Sequence, residues 1–131
     1  METILIADDE SAVRTYVRAI LNRAGFQIIE AVDGQDALEK VQRHGAPIDL
    51  LLTDVRMPRL DGLSLARSVI ELYPGTPVLY ISGYPLDIEK ERGNRPSYAC
   101  AFVPKPFTPK LLLEAVEKCL CPPEKAATST V

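Results

Sequence analysis

Soft metal ligands are scarce in this chain, which has one histidine, His44, and three cysteines, Cys100, Cys119 and Cys121. None of them has a further His or Cys partner at a zinc-like spacing. His44 stands in QRHG at an expected helix end, where its charge would suit the helix dipole. An odd number of cysteines without an export signal reads as reduced, small apolar side chains. Long apolar runs are also missing, so no segment is suited to span a membrane. The opening METILIADDE lacks the basic and apolar regions of a signal peptide, and a cytoplasmic location is expected. Nor is there an excess of positive charge. Fifteen Lys and Arg face 18 Asp and Glu, a net charge of −3 that argues against direct nucleic-acid binding. No internal repeat or low-complexity block is present.

What is there is an ordinary globular balance: 131 residues, 47% apolar and 25% charged, enough for one domain with a real core. Five short apolar runs punctuate it: TILIA (3–7), QIIEA (27–31), DLLLT (49–53), PVLYI (77–81) and AFV (101–103). Runs that are apolar throughout belong to strands covered on both faces, as in a parallel sheet; the mixed QIIEA belongs nearer an edge. Helical stripes lie between them. Val13, Val17, Ile20, Leu21 and Ala24 repeat at helical spacing, with Ser11 as the expected cap and Gly25 as the stop. Ala37, Leu38 and Val41 form a second stripe ending at Gly45, and Leu65, Ala66, Val69 and Ile70 a third between Asp61 and Pro74-Gly75. The last helix has Thr108 as N-cap, Pro109 at its first position, and Leu112, Leu113, Val116 and Leu120 as its stripe, halted by Pro122-Pro123. Residues 83–99 hold two prolines and two glycines and no strong stripe, so at most a short, weakly determined helix is expected there. The order is (βα)5, a doubly wound α/β sheet. Residues 122–131 read as a frayed tail to a domain covering 1–121.

Charges gather where strands end. The first run is followed by Asp8-Asp9-Glu10, the third by Asp54, the fourth by Ser82-Gly83 and the fifth by Pro104-Lys105-Pro106. Ligands of open parallel sheets bind beyond the carboxyl ends of strands, at a switch point. Each residue has a plainer reading: Asp8-Asp9 as a helix cap, Asp54 and Ser82-Gly83 as turns, Lys105 as solvated surface. Their placement at four strand ends points instead to one crevice. Clustered carboxylates repel, and a hard dication such as Mg²⁺, which prefers oxygen ligands, relieves the repulsion. Acids, a hydroxyl and a lysine at one sheet edge suit the handling of a phosphoryl group, with a carboxylate as its acceptor.

ILIADDE, LLLTDVRMPRLDG, VLYISGY and FVPKPFTP, taken as a spaced set, resemble a response-regulator receiver domain over about residues 2–121. The resemblance implies a flavodoxin-like five-stranded sheet of order 2-1-3-4-5. It makes Asp54 the phosphoacceptor, served by a histidine kinase or histidine phosphotransfer domain. It makes Asp9 a direct ligand of Mg²⁺, Asp8 a ligand through water, and the backbone carbonyl of Arg56 a third protein ligand beside Asp54. Ser82 and Lys105 then contact the phosphoryl group, Phe102 is the aromatic switch, and the Lys105–Pro106 peptide bond is expected cis. The side chains of Arg56 and Tyr84 are expected to flank the mouth and slow self-dephosphorylation. The resemblance further implies catalysis of the domain's own phosphorylation and slow dephosphorylation, without turnover of an external substrate. Residues 84–121 are the expected readout face, and a homodimer through the last helix, the fifth strand and residues 84–99 is one assembly open to it, the oligomeric state being unspecified by the sequence. ISGY and KPFTP, with the Pro-rich end, lean towards receivers of hybrid histidine kinases; a stand-alone receiver is the other expectation.

Three alternatives stand beside this one. A haloacid-dehalogenase-like phosphatase needs an acid two residues after its nucleophile, and Arg56 stands there. A flavodoxin-type electron carrier must cradle a phosphate in its first loop, which Asp8-Asp9-Glu10 would repel. A receiver-like interaction module that is never phosphorylated would keep the same residues.

Overall fold

In the computed structural model, which describes residues 2–83 and 99–120, the apolar runs form five parallel strands hydrogen-bonded in the order β2-β1-β3-β4-β5. They are β1 (Thr3–Ala7), β2 (Gln27–Ala31), β3 (Leu50–Asp54), β4 (Val78–Ser82) and β5 (Ala99–Pro104). The described helices are α1 (Ser11–Arg23), α2 (Gly34–His44), α3 (Gly62–Leu72) and α4 (Pro109–Leu120). The weak segment expected between β4 and β5, the halt at Pro122-Pro123 and the expected tail all lie outside the described residues.

The continuous apolar runs follow from burial on both sides. Leu5, Ala7, Leu51, Val78 and Tyr80 point to one face, where Ala37 and Val41 of α2 and Leu65, Ala66 and Val69 of α3 cover them. Ile4, Ile6, Leu50, Leu52, Leu79 and Ile81 point to the other, under Val17 and Leu21 of α1 and Leu112, Val116 and Cys119 of α4. Each buried Val, Leu or Ile among them contributes roughly 1.5–3 kcal/mol by leaving water. Truncating a central one, as in Leu51→Ala, costs about 2–5 kcal/mol. β2 is an edge strand and only partly buried, as its mixed sequence requires.

Helix ends match their chemistry with one correction. Gly25 and Gly45 take the positive φ that stops α1 and α2. The Thr108 hydroxyl accepts the Leu111 N–H at 3.1 Å, capping α4. Ser11, however, is the first residue of α1 and not its cap. Glu10 occupies the N-cap with extended backbone and caps with no side-chain bond. The reason lies upstream, where the Asp8 carboxylate accepts the Glu10 N–H at 2.9 Å and sets the entry of the chain.

The cysteines need a second correction. Cys100 and Cys119, expected as reduced side chains, form a disulfide between β5 and α4, with Cα atoms 5.4 Å apart. Docking α4 on the sheet places these residues within bridging range, which a separation of 19 residues in sequence does not reveal. Cys100 is the extra residue where β5 slips register against β4, between the Val78–Ala99 and Leu79–Ala101 pairs. Its sulfur lies 3.0 Å from the Val78 carbonyl oxygen. A disulfide sulfur has no proton to give, so this is a packing contact. Cys121 lies outside the described residues. Among the described residues no helix is long and apolar enough to cross a membrane.

Candidate functional site at the carboxyl end of the sheet

Strand order reverses between β1 and β3, and the ends of these two strands hold the acids. Asp8 follows β1 with no solvent exposure, and Asp54 is the last residue of β3, 6% exposed. The strand therefore runs one residue further than the apolar run suggests, carrying a carboxylate to the lip of the core. The Asp54 carbonyl oxygen takes no part in the crevice. It lies against the start of α3, where a Cβ on Gly62 would come within 2.0 Å of it. Only glycine lets α3 begin so close to the strand. The Gly62 N–H then donates to the Val55 carbonyl at 2.9 Å and closes the loop between them.

Lys105 reaches back into this crevice from the end of β5. Its backbone N–H donates to the Ser82 carbonyl at 2.7 Å, continuing the ladder one residue past the strand. Its ammonium lies 2.9 Å from Asp54 Oδ2, 3.0 Å from Asp8 Oδ2 and 3.4 Å from Glu10 Oε1. Burial works against its charge, but the hydrogen bonds to Asp54 and Asp8 outweigh that and hold it above the ordinary lysine range. Burial likewise pushes the Asp8 carboxyl up. The Glu10 N–H and Lys105 offset this only in part, and the Asp54 charge adds to the rise. The Lys105–Pro106 peptide bond is cis.

Asp8, Glu10 and Asp54 each offer an oxygen, all within 4.8 Å of one another. When all three are ionised, three negative charges face the one ammonium that bridges them, a surplus of two. An oxygen-only set with that surplus fits a hard dication. Asp9 is exposed and stands outside this tight group, yet with Glu10, Asp54, Arg56, Met57 and Pro58 it lines the same open pocket of about 490 Å³. Glu10 was not singled out as a site residue from sequence. Its only signal is being the third acid of a run that leaves a strand. Ser82 is buried at the end of β4, beside β3. Phe102 is half-buried and stacks on Tyr80 across the strand pair, with ring centroids 5.3 Å apart. Tyr84 lies outside the described residues.

The profile of the response regulator receiver domain matches residues 4–117. The chain belongs to this family. It is 38% identical over 120 residues to the sensor kinase CckA of Brucella abortus, an alignment covering 90% of this chain and 12% of that protein. It is 32% identical to the response regulator receiver protein CpdR of the same organism, over 92% of this chain and 98% of the relative. Among solved structures, the receiver domain of the hybrid histidine kinase CckA superposes with a TM-score of 0.76 at 35% identity, covering 90% of this chain and 98% of that one. The chain thus spans a small part of some relatives and nearly the whole of others. Receiver domains of two-component systems accept phosphoryl groups and interact with histidine kinases or phosphotransfer proteins. The match selects the receiver over the phosphatase and electron-carrier alternatives.

Proposed function

We propose that this receiver takes a phosphoryl group onto Asp54 from the phosphohistidine of a histidine kinase or phosphotransfer domain, in a Mg²⁺-dependent reaction. The observation that carries the proposal is the Lys105 ammonium, 2.9 Å from Asp54 and 3.0 Å from Asp8 at the switch point of the sheet. An Asp54 oxygen attacks phosphorus and forms the acyl phosphate. The phosphorus–nitrogen bond breaks, and its electron pair stays with the imidazole. Lys105 remains protonated through the neutral range and can follow the charge from the carboxylate to the phosphoryl oxygens. Asp8, Asp9, Asp54 and the Arg56 carbonyl would hold Mg²⁺, which when bound neutralises charge on the incoming phosphoryl group.

The new group adds about −1.5 to −2 charge at the end of β3. The Ser82 hydroxyl, buried on the neighbouring strand, turns towards it, and the Phe102 ring follows. β5 and α4, with residues 84–98, then form the readout face. Beside Lys105, an apolar groove of about 530 Å³ lined by Ala12, Val13, Tyr16, Pro106 and Phe107 is of the kind that takes an apolar helix face, here that of the histidine donor. The test is incubation with acetyl phosphate and MgCl₂, followed by intact-mass measurement. One phosphoryl group is expected on the wild type and none on Asp54→Asn or in the presence of chelator. An unmodified wild type, or a modified Asp54→Asn, overturns the proposal.

A further inference from the structure

The loop from β3 to α3 folds back on itself at Arg59, a non-glycine residue with φ of 70°. The Leu60 N–H donates across it to the Pro58 carbonyl at 2.8 Å. A hydrogen bond closed over a single residue at positive φ is a rare, strained turn, and it persists only where the surroundings hold it. Two contacts at the start of α2 do so. Gly34 is the first residue of α2, and a Cβ there would lie 1.9 Å from the Leu60 carbonyl oxygen and 2.8 Å from the Leu60 Cβ. Asp33 caps α2 by accepting the Asp36 N–H at 2.8 Å, while its other oxygen lies 3.5 Å from Arg59 Nε. The Arg59 side chain is largely exposed, so that ion pair is a weak guide. The backbone seat of Leu60 on Gly34 is the closer constraint, since the Leu60 oxygen stands where a Cβ would be. At its far end the loop is fixed by the Gly62 N–H on the Val55 carbonyl. Arg56, Met57 and Pro58, which line the acid pocket, are held between these two points.

We propose that Gly34 is a positioning residue for the cation site. The absent side chain lets the start of α2 seat the Leu60 peptide, and that seat fixes where the Arg56 carbonyl stands relative to the Asp54 carboxylate. The inference rests on the reading of Arg56 as a cation ligand given above. A methyl group at residue 34 needs at least 3.0 Å from the Leu60 oxygen, so the loop must move by about 1 Å. Mg²⁺ demands near-ideal octahedral geometry with oxygens at about 2.0–2.1 Å, and a ligand displaced that far is lost or strained. Changes in the groups that orient metal ligands typically cost about 10–100-fold in affinity.

The experiment titrates MgCl₂ into the unphosphorylated protein and follows the Glu10 and Met57 amide resonances. In Gly34→Ala the Mg²⁺ dissociation constant is expected to rise about tenfold or more, while the phosphorylation rate at saturating Mg²⁺ recovers. Gly45→Ala is the control: it strains the other end of α2, at φ of 69°, without touching the loop, and should leave the constant unchanged. A folded Gly34→Ala with wild-type Mg²⁺ affinity overturns the inference, as does an equal loss in Gly45→Ala. Should Gly34→Ala not fold, the wild type still decides. Coupling is reciprocal, so Mg²⁺ must raise the hydrogen-exchange protection of the Leu60 amide, and unchanged protection overturns the inference. A wild type that takes up no Mg²⁺ removes the cation site itself, whereas normal uptake with an indifferent Gly34→Ala removes only the role of Gly34.

Discussion

The two ends of the sheet use the same residue types to opposite effect. At the amino end, Asp49 accepts the Thr3 N–H at 2.7 Å and returns its own N–H to the Thr3 carbonyl at 2.9 Å. The Thr76 hydroxyl there finishes on the Tyr73 carbonyl at 2.8 Å. These groups find backbone partners, and the strands are simply tied off. At the carboxyl end, Asp8 and Asp54 are more deeply buried, and with Glu10 they share a single ammonium. A fold has no stability reason to bury two carboxylates beside one ammonium, since each costs desolvation that one lysine cannot return in full. The contrast separates polar groups that finish a structure from polar groups left in charge imbalance, which the proposed phosphoryl transfer would use.

The contrast breaks most visibly at Lys105. Lys105→Ala leaves Asp8 and Asp54 without the ammonium that bridges them, and a cost of about 3 kcal/mol at neutral pH without Mg²⁺ is expected in urea unfolding. The cost should shrink in acid as the carboxyls take up protons. Asp8→Asn sharpens the contrast by moving the other way. The Asp8 carboxyl is raised, so the folded state holds that proton more tightly than the unfolded one. Its contribution favours folding below the ordinary carboxyl value of 3.8 and is lost as pH rises through the folded value. At neutral pH the charged group is therefore a net cost. Asp8→Asn should melt a few degrees higher at pH 7, and the gain should vanish towards pH 3. Excess MgCl₂ should reverse the ranking, since a ligand at 100 times its dissociation constant stabilises the wild type by about 2.7 kcal/mol. The smallest effect belongs to the amino end. Asp49→Ala should cost about 0.5–1 kcal/mol and leave phosphorylation by acetyl phosphate at the wild-type rate.

Much of this was legible in the chain. Fully apolar runs gave the parallel sheet and the mixed QIIEA run the edge position of β2, and the acids, serine and lysine that follow the runs do gather at one end. The parts that stayed hidden have a common cause: they depend on which backbones come close. Asp33-Gly34 and Asp61-Gly62 are the same device used twice. In each pair an aspartate caps a helix, and a glycine admits a carbonyl to within 2 Å of where a Cβ would sit. The repeated Asp-Gly was there to be noticed, but its meaning needed the loop that packs on it. Glu10 escaped because an acid at a helix start is ordinarily explained by the helix dipole. The Cys100–Cys119 pair escaped because no sequence spacing reports that a strand bulge faces the last turn of a helix.

That disulfide closes a covalent ring around residues 101–118, and Phe102, Lys105 and the cis Lys105–Pro106 bond are all members of it. A ring of this size removes about 3 kcal/mol of chain freedom from the denatured ensemble. The aromatic and the lysine thus belong to a hoop fastened at its base by the two sulfurs. Preparing the protein with or without a thiol reductant is then a choice between a hooped and an unhooped carboxyl-terminal segment.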